Sequence, residues 1–326
     1  MSISIDDMAF ILYINNISIQ INRYVPIFLL LFGIIGHLTS CLVFVQRALR
    51  TNPCSIYFLA ASLSNLIFLT TLFVPMLNAW DKSFNLLSTV SVLCKLSMFI
   101  ILTTRTLALW FIVLATIDRY LILFYNNNRH RMTDLKQTYC WILITCIVSI
   151  LIWIETVYCF ETNLVGTPMK CFLNSNVCLL YNTIIFALIS ITIPSITMLI
   201  FGLLTIINIR QSQRMIYPNI NTITNSNRRS RRIDWILTRM LLTQVFTIFF
   251  LNLPQAIHIL YIAIIFYQPI TPVKATVLGL IFDILFLLPF LSCCISFLLY
   301  ILNEKIFRET LVKLAKKIIQ RLKCNN

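Results

Sequence analysis

Long uninterrupted apolar runs dominate the chain, and short polar linkers separate them. The runs lie at about 24–47, 55–78, 92–124, 137–160, 180–209, 233–266 and 274–302. Each is long enough to cross a hydrocarbon core of roughly 30 Å, which takes about 20 helical residues. In lipid only helices and closed barrels satisfy their own backbone. Barrel strands read as short alternating segments, whereas these runs are continuous. Five glycines in the whole chain also argue against a turn-rich β architecture. The pattern therefore predicts an all-α fold, a seven-transmembrane helix bundle over 24–302. The third, fifth and sixth runs exceed what the membrane needs and should tilt or protrude. Before the bundle, 1–23 reads as a short polar N-terminal segment. After it, 303–326 reads as an amphipathic eighth helix and tail. There Ile306, Phe307, Leu311, Leu314, Ile318 and Leu322 recur at helical spacing, with Lys and Arg between them. That is the pattern of a helix lying on a membrane surface and touching its lipid.

Composition supports the membrane reading and charge orients it. Of the 326 residues, 59% are hydrophobic and 11% charged, against about 25% charged in soluble domains. The net charge of +15 is not a nucleic-acid signal, because of where it sits. Eighteen Lys and Arg fall at Arg47, in 48–54, 125–136 and 210–232, and in the tail. Five fall on the other side, at Arg23, Lys82, Lys95, Lys170 and Lys274. Basic residues gather in cytoplasmic loops, so the N-terminus is expected outside and the C-terminus in the cytoplasm of a plasma-membrane protein. Met8–Tyr13 lacks the basic flank of a signal peptide, and the first span should serve as its own insertion signal. The sequon Asn16-Ile-Ser18 makes Asn16 a glycosylation candidate, and Cys324 is a palmitoylation candidate. The 11 cysteines show no metal-ligand spacing, so neither a metal nor a cofactor is expected. Isolated histidines and the lack of a phosphate-binding loop point to no enzyme and no ATP-driven transport.

Motifs along the spans narrow the class. The third span opens at Cys94, carries Arg105 near its middle and closes on Asp118-Arg119-Tyr120. Gly36-His37 stands in the first span, Ser62-Leu-Ser-Asn65 in the second, Trp141 in the fourth and Pro194 in the fifth. Asn252-Leu-Pro254 marks the sixth, and Ser296-Phe-Leu-Leu-Tyr300 the seventh, with Phe307 following. In this order the marks resemble those of rhodopsin-like (class A) G-protein-coupled receptors, over 24–323. The form Ser-Cys-Cys-Ile-Ser-Phe-Leu-Leu-Tyr is similar, more weakly, to FMRFamide-type neuropeptide receptors. Several marks depart from the family. His37 replaces Asn, Asn65 replaces Asp, Asn252 stands where a Trp is usual, and Ser296-Phe297 replaces Asn-Pro.

The resemblance implies roles. Cys94 would form a disulfide with the linker between spans four and five, where Cys171 and Cys178 compete and Cys171 is favoured. Asp118, Arg119, Tyr120 and Tyr300 would form the coupling switch. Asp234 would latch Arg119 at rest, the bland alternative being that it favours its own helix N-terminus. Pro194 and Pro254 each remove a helix hydrogen bond and should bend their helices. Asn252, beside Pro254, could bond across the bundle. The sodium site expected at Asn65 has lost its charge. Ile101 and Phe290 occupy the positions where amine receptors and opsins carry Asp and Lys, which disfavours both ligand classes.

Arg105 is not explained by the family pattern. It lies 11 residues from Cys94, about 16 Å along a helix, and an ionisable residue there is functional by default. Asp283 and Glu155 are the candidate partners. Three readings stay open: a structural ion pair, an Arg105 that receives a ligand anion, and an Asp283 or Glu155 that receives a ligand cation. The resulting expectation is a receptor that binds an extracellular ligand, with a peptide favoured, and activates a heterotrimeric G protein. The alternatives are a transporter or channel, and a divergent chemosensory receptor.

Overall fold

The computed structural model describes residues 5–46, 49, 51–80, 90–124, 135–162, 171–215, 225–265, 271–303 and 312. Side chains are described for these except 74–80, 123–124, 210–215, 225–236 and 299–303. Seven helices are long and apolar enough to cross a membrane. They are α1 (Ile5–Phe44), α2 (Pro53–Trp80), α3 (Ser91–Phe124), α4 (Leu135–Trp153), α5 (Asn176–Ile185, Phe186–Thr192 and Ile193–Met215 in succession), α6 (Asn225–Ile265) and α7 (Pro272–Asn303).

The first helix differs from expectation. It begins at Ile5 and runs 40 residues, about 60 Å and twice the hydrocarbon core. The stretch read as a polar leader carries no glycine or proline before Pro26, and Asp6 and Asp7 in its first turn favour the positive end of the helix dipole. Asn16 is an exposed position on this helix.

The helices close a ring: α1 packs on α2 and α7, α6 on α7 and α5, and α3 touches α2, α4, α5 and α6. Close approach replaces hydrophobic burial as the packing device, since lipid is as apolar as the core. A Cβ on Gly36 would lie 2.9 Å from Phe297 Cβ, and one on Gly33 would lie 2.8 Å from Leu69 Cδ1. The inward residues of α4 are Thr138, Ser149 and Trp153, while Leu143, Ile147 and Leu151 point outward.

Levels along α3 fix the direction of α6. Ile112, Val113 and Ala115 share an apolar cluster with Leu237, Leu241 and Val245, whereas Arg105 meets Asn252. The two helices are therefore antiparallel, and α6 runs on from Asn252 toward the Cys94 end.

Pro194 shapes α5 through backbone hydrogen bonds. It has no N–H for Ser190. The segment before it slips to i→i−5 bonding: the Ile193 N–H donates to Leu188 O, and Thr192 Oγ1 donates to Ala187 O at 2.8 Å. The Ile189 carbonyl then has no helical donor at either spacing, and Trp110 Nε1 from α3 supplies one at 3.1 Å. The same slip sets Ser190 Oγ 2.5 Å from Thr106 Oγ1, which also accepts Trp153 Nε1 at 2.8 Å. The bend expected at Pro194 thus takes the form of a widened turn that ties α3, α4 and α5 together. Wide turns of this kind are frequent at functional sites. Trp141, the residue that resembles the family's fourth-helix tryptophan, is exposed, and Trp153 is the buried one.

Candidate functional site

Three levels on α3 carry the chemistry. At the first, Cys94 is bonded to Cys171 with a Cα–Cα distance of 5.8 Å. Cys171 begins β2 (Cys171–Leu173), which pairs antiparallel with β1 (Phe160–Thr162) in the register Thr162↔Cys171. A second disulfide, Cys159–Cys178, ties the short helical turn Thr156–Cys159 to the start of α5. Cys178 is therefore not a partner of Cys94. Two cysteines 19 residues apart, flanking a polar linker, were a readable signal for this bond. The hairpin is also held to α3 by charge. Glu161 lies 3.1 Å from Lys95 and accepts the Ser91 hydroxyl at 2.6 Å. The Ser91 hydrogen bond and the Lys95 ammonium hold the Glu161 carboxyl below the usual carboxylate range.

At the second level Arg105 is 4% exposed and does not meet Asp283 or Glu155. Asp283 lies ten residues before Cys293 on α7, about 15 Å along the helix, and accepts Ser18 Oγ from α1. Glu155 accepts Asn182 Nδ2 at 3.2 Å. Arg105 instead heads a relay of neutral partners. Its Nη2 donates to Asn252 Oδ1 at 2.7 Å and its Nη1 to Cys293 Sγ at 3.5 Å. The thiol in turn donates to Asn65 Oδ1 at 3.5 Å. Asn252 Nδ2 donates to Ile248 O at 2.8 Å, which fixes the amide with its oxygen toward the guanidinium. The guanidinium also lies 5.7 Å from the Phe68 ring centroid, within cation–π reach. The relay joins α2, α7, α3 and α6, and Asn252 sits two residues before Pro254, where α6 already lacks one backbone donor.

At the third level Arg119 is 1% exposed. Its Nε lies 3.9 Å from Asp118 Oδ2, and its Nη2 donates to Asn52 Oδ1. Asn52 Oδ1 also accepts Cys54 N at 3.1 Å, so it caps α2, with Pro53 in the first helical position where proline fits. Tyr120 meets Phe201 of α5 edge-on at 5.4 Å. The side chains of Asp234 and Tyr300, and residue Cys324, lie outside the described residues.

These levels sit in the region that matters for comparison. The model of the seven-transmembrane receptor (rhodopsin) family matches residues 37–300. The chain belongs to that family. Rhodopsin-family members are receptors, not enzymes. A mouse (Mus musculus) protein, C-C chemokine receptor 1-like protein 1, is 30% identical over 163 residues, which is 48% of this chain and 44% of that protein. The chain thus matches less than half the length of that relative. Within the rhodopsin family the Cys94 disulfide and Asp118-Arg119-Tyr120 are expected marks. The Arg105 relay and the Trp153–Thr106–Ser190 cluster were not legible from the marks, because neither uses a residue pair of opposite charge.

Proposed function

We propose that the protein is a G-protein-coupled receptor of the plasma membrane. In this reading the Cys94 end lies outside and binds a ligand, favoured to be a peptide, and the Arg119 end lies in the cytoplasm and activates a heterotrimeric G protein. The observation that carries the reading is Arg119. An arginine 1% exposed at the end of a membrane helix, with an adjacent carboxylate and a neutral amide among its partners, is placed for a change of partners. A group held this way costs free energy to bury and is retained where a second arrangement uses it. The latch between Arg119 and Asp234 belongs to this proposal. The mouse relative is named for chemokine receptors, and a chemokine is a polypeptide, which favours a peptide ligand over an amine. The 18-to-5 division of basic residues supports the orientation.

Ligand-stimulated nucleotide exchange on a purified heterotrimer, with the receptor in nanodiscs, tests the reading. Exchange that rises with a peptide and is lost in Arg119→Ala is the expected result. Solute flux through proteoliposomes without exchange overturns it in favour of a transporter. For the latch, Asp234→Asn should raise basal exchange, and unchanged basal exchange counts against it.

A further inference from the structure

Among the described residues, Arg105 presents a charge with no counter-charge. Guanidinium carries five N–H donors, and among the described residues two of them are engaged, by Asn252 and Cys293. Both acceptors are neutral, as is the Phe68 face. A cation moved from water into a membrane bundle costs several kcal/mol unless it is paired. Hydrogen bonds to neutral groups return part of that cost and an anion would return more.

The α6 surface beyond Asn252 adds a second, independent observation. At 100° per residue, Asn252, Gln255 and His258 fall within one 120° arc of the helix, about 9 Å from first to last. They climb from Arg105 toward the Cys94 end. All three are buried, Gln255 at 2% and His258 at 8% exposure. Gln255 Oε1 and both ring nitrogens of His258 have no hydrogen-bond partner among the described residues. Buried polar atoms are almost always paired, and each unpaired one costs about 1–3 kcal/mol. Three unpaired atoms on two residues of α6, rising on adjoining faces above a guanidinium with neutral partners, are the polar surface that a ligand could use.

We propose that Arg105, Asn252, Gln255 and His258 form a carboxylate-binding column. Arg105 is the counter-ion for the ligand's acidic end, and Gln255 and His258 bond its polar groups. The inference rests on the receptor reading for the ligand's route from outside and names that ligand's chemistry. It also separates this receptor from an FMRFamide-type one, since an amidated peptide end offers the guanidinium no charge. A peptide with a free C-terminus and a small organic acid share the required group.

The test is thermal stabilisation of purified receptor in nanodiscs, read beside nucleotide exchange. The probes are a short-peptide library as free acids, the same peptides as C-terminal amides, a panel of monocarboxylic acids, and sodium chloride against sodium isethionate. Stabilisation by free acids and not by their amides supports the column with a peptide ligand. Stabilisation by the monocarboxylic acids alone supports it with a small acid. Arg105→Gln, which keeps a donor for Asn252, should weaken the acid's binding about 100-fold, and Arg105→Lys should retain part of it. Equal stabilisation by acids and amides, stabilisation by chloride alone, or none by any carboxylate overturns the column. If amides drive exchange as well as acids do, the receptor reading stands and this inference falls. If acids bind through Arg105 without exchange, the inference stands and the coupling reading falls.

Discussion

The bond between Arg105 and Asn252 sets a quantity that can be measured. The perturbation is a double-mutant cycle of Arg105→Met, Asn252→Leu and the pair. Both substitutions remove the polar atoms and keep a side chain of similar reach, with leucine somewhat bulkier than asparagine. Nη2 and Oδ1 are 2.7 Å apart, and Arg105 and Asn252 are 4% and 0% exposed, so solvent does little to screen the bond. A hydrogen bond to a charged group contributes about 1.5–3 kcal/mol. Bonds between neutral side chains in membrane bundles average about 0.6 kcal/mol in such cycles, because the unfolded chain in lipid also finds partners. The charge decides between the two scales, and the expected coupling is about 1.5–2 kcal/mol. Asn252→Leu alone should cost more than the double variant, since it leaves the buried guanidinium without the acceptor for its Nη2 donor. Arg105→Met alone should cost less than Asn252→Leu alone, because it removes the charge itself and strands only the neutral Asn252 oxygen. The assay is reversible unfolding in mixed micelles followed by near-UV circular dichroism. Coupling below about 0.5 kcal/mol would refute the claim that this bond organises the middle of the bundle.

Other outcomes follow from single contacts. Gly36→Ala forces a methyl to within 2.9 Å of Phe297 Cβ, an atom next to the backbone that cannot swing away. It should lower stability by about 1–3 kcal/mol, checked by the thermal midpoint. Removing the Cys94–Cys171 disulfide releases a separation of 77 residues and removing Cys159–Cys178 one of 19. The chain-entropy scale gives about 4.5 and about 3 kcal/mol, as ceilings where membrane spans already restrain the chain, so the Cys94→Ser/Cys171→Ser variant should melt lower than Cys159→Ser/Cys178→Ser. Sodium should leave ligand affinity unchanged, because Asn65 bears no charge and its Oδ1 accepts the Cys293 thiol; a titration of sodium against choline chloride checks this. The Glu161 carboxyl sits below its ordinary range in the folded hairpin. Its pairing is therefore present above the unfolded carboxylate range and lost as pH falls through the lowered folded value. Protection factors of the hairpin amides, with the intrinsic exchange rate at each pH divided out, should fall at acid pH, and Glu161→Gln should remove that dependence.

What could be read beforehand divides by physical range. Spans, their number and the Cys94 disulfide depend on runs of apolar residues or on motifs, and these are local properties of a sequence. Pro194 announced a disturbance of α5, because a missing N–H is a property of one residue. It did not announce a widened turn, because that depends on Trp110 arriving from α3 to take the freed Ile189 carbonyl. Arg105 was legible as anomalous for the same reason Pro194 was. That Asn252 could bond across the bundle was legible, but its pairing with Arg105 was not, because opposite charge points to Asp283 and Glu155 while the fold supplies an amide and a thiol. Asn52 caps α2 ahead of Pro53, and that the cap also accepts Arg119 is visible only once α2 and α3 are packed. The early start of α1 shows the limit of reading a helix boundary from polarity: 5–23 is more polar than the span that follows and still contains no glycine or proline to stop a helix.

One consequence joins the middle level to Pro254 inside α6. At Pro254 the helix lacks the backbone donor that Phe250 O would otherwise receive, so α6 bends there at lower cost than elsewhere. Asn252 is on the same turn, and its side chain is the atom set through which Arg105 holds that turn to α3. An anion that takes the remaining N–H donors of Arg105 draws the guanidinium toward itself and lessens its hold on Asn252. Such a ligand would weaken the tie at the point where α6 is easiest to bend, without touching α6 elsewhere. Coupling of this kind requires the ligand to favour one arrangement of the bond over the other, and the reciprocity of linkage supplies its test. If the bond communicates, Asn252→Leu must change the affinity of a carboxylate and the basal nucleotide exchange in the same direction. An affinity change with unaltered exchange would confine Asn252 to binding and place the hinge elsewhere.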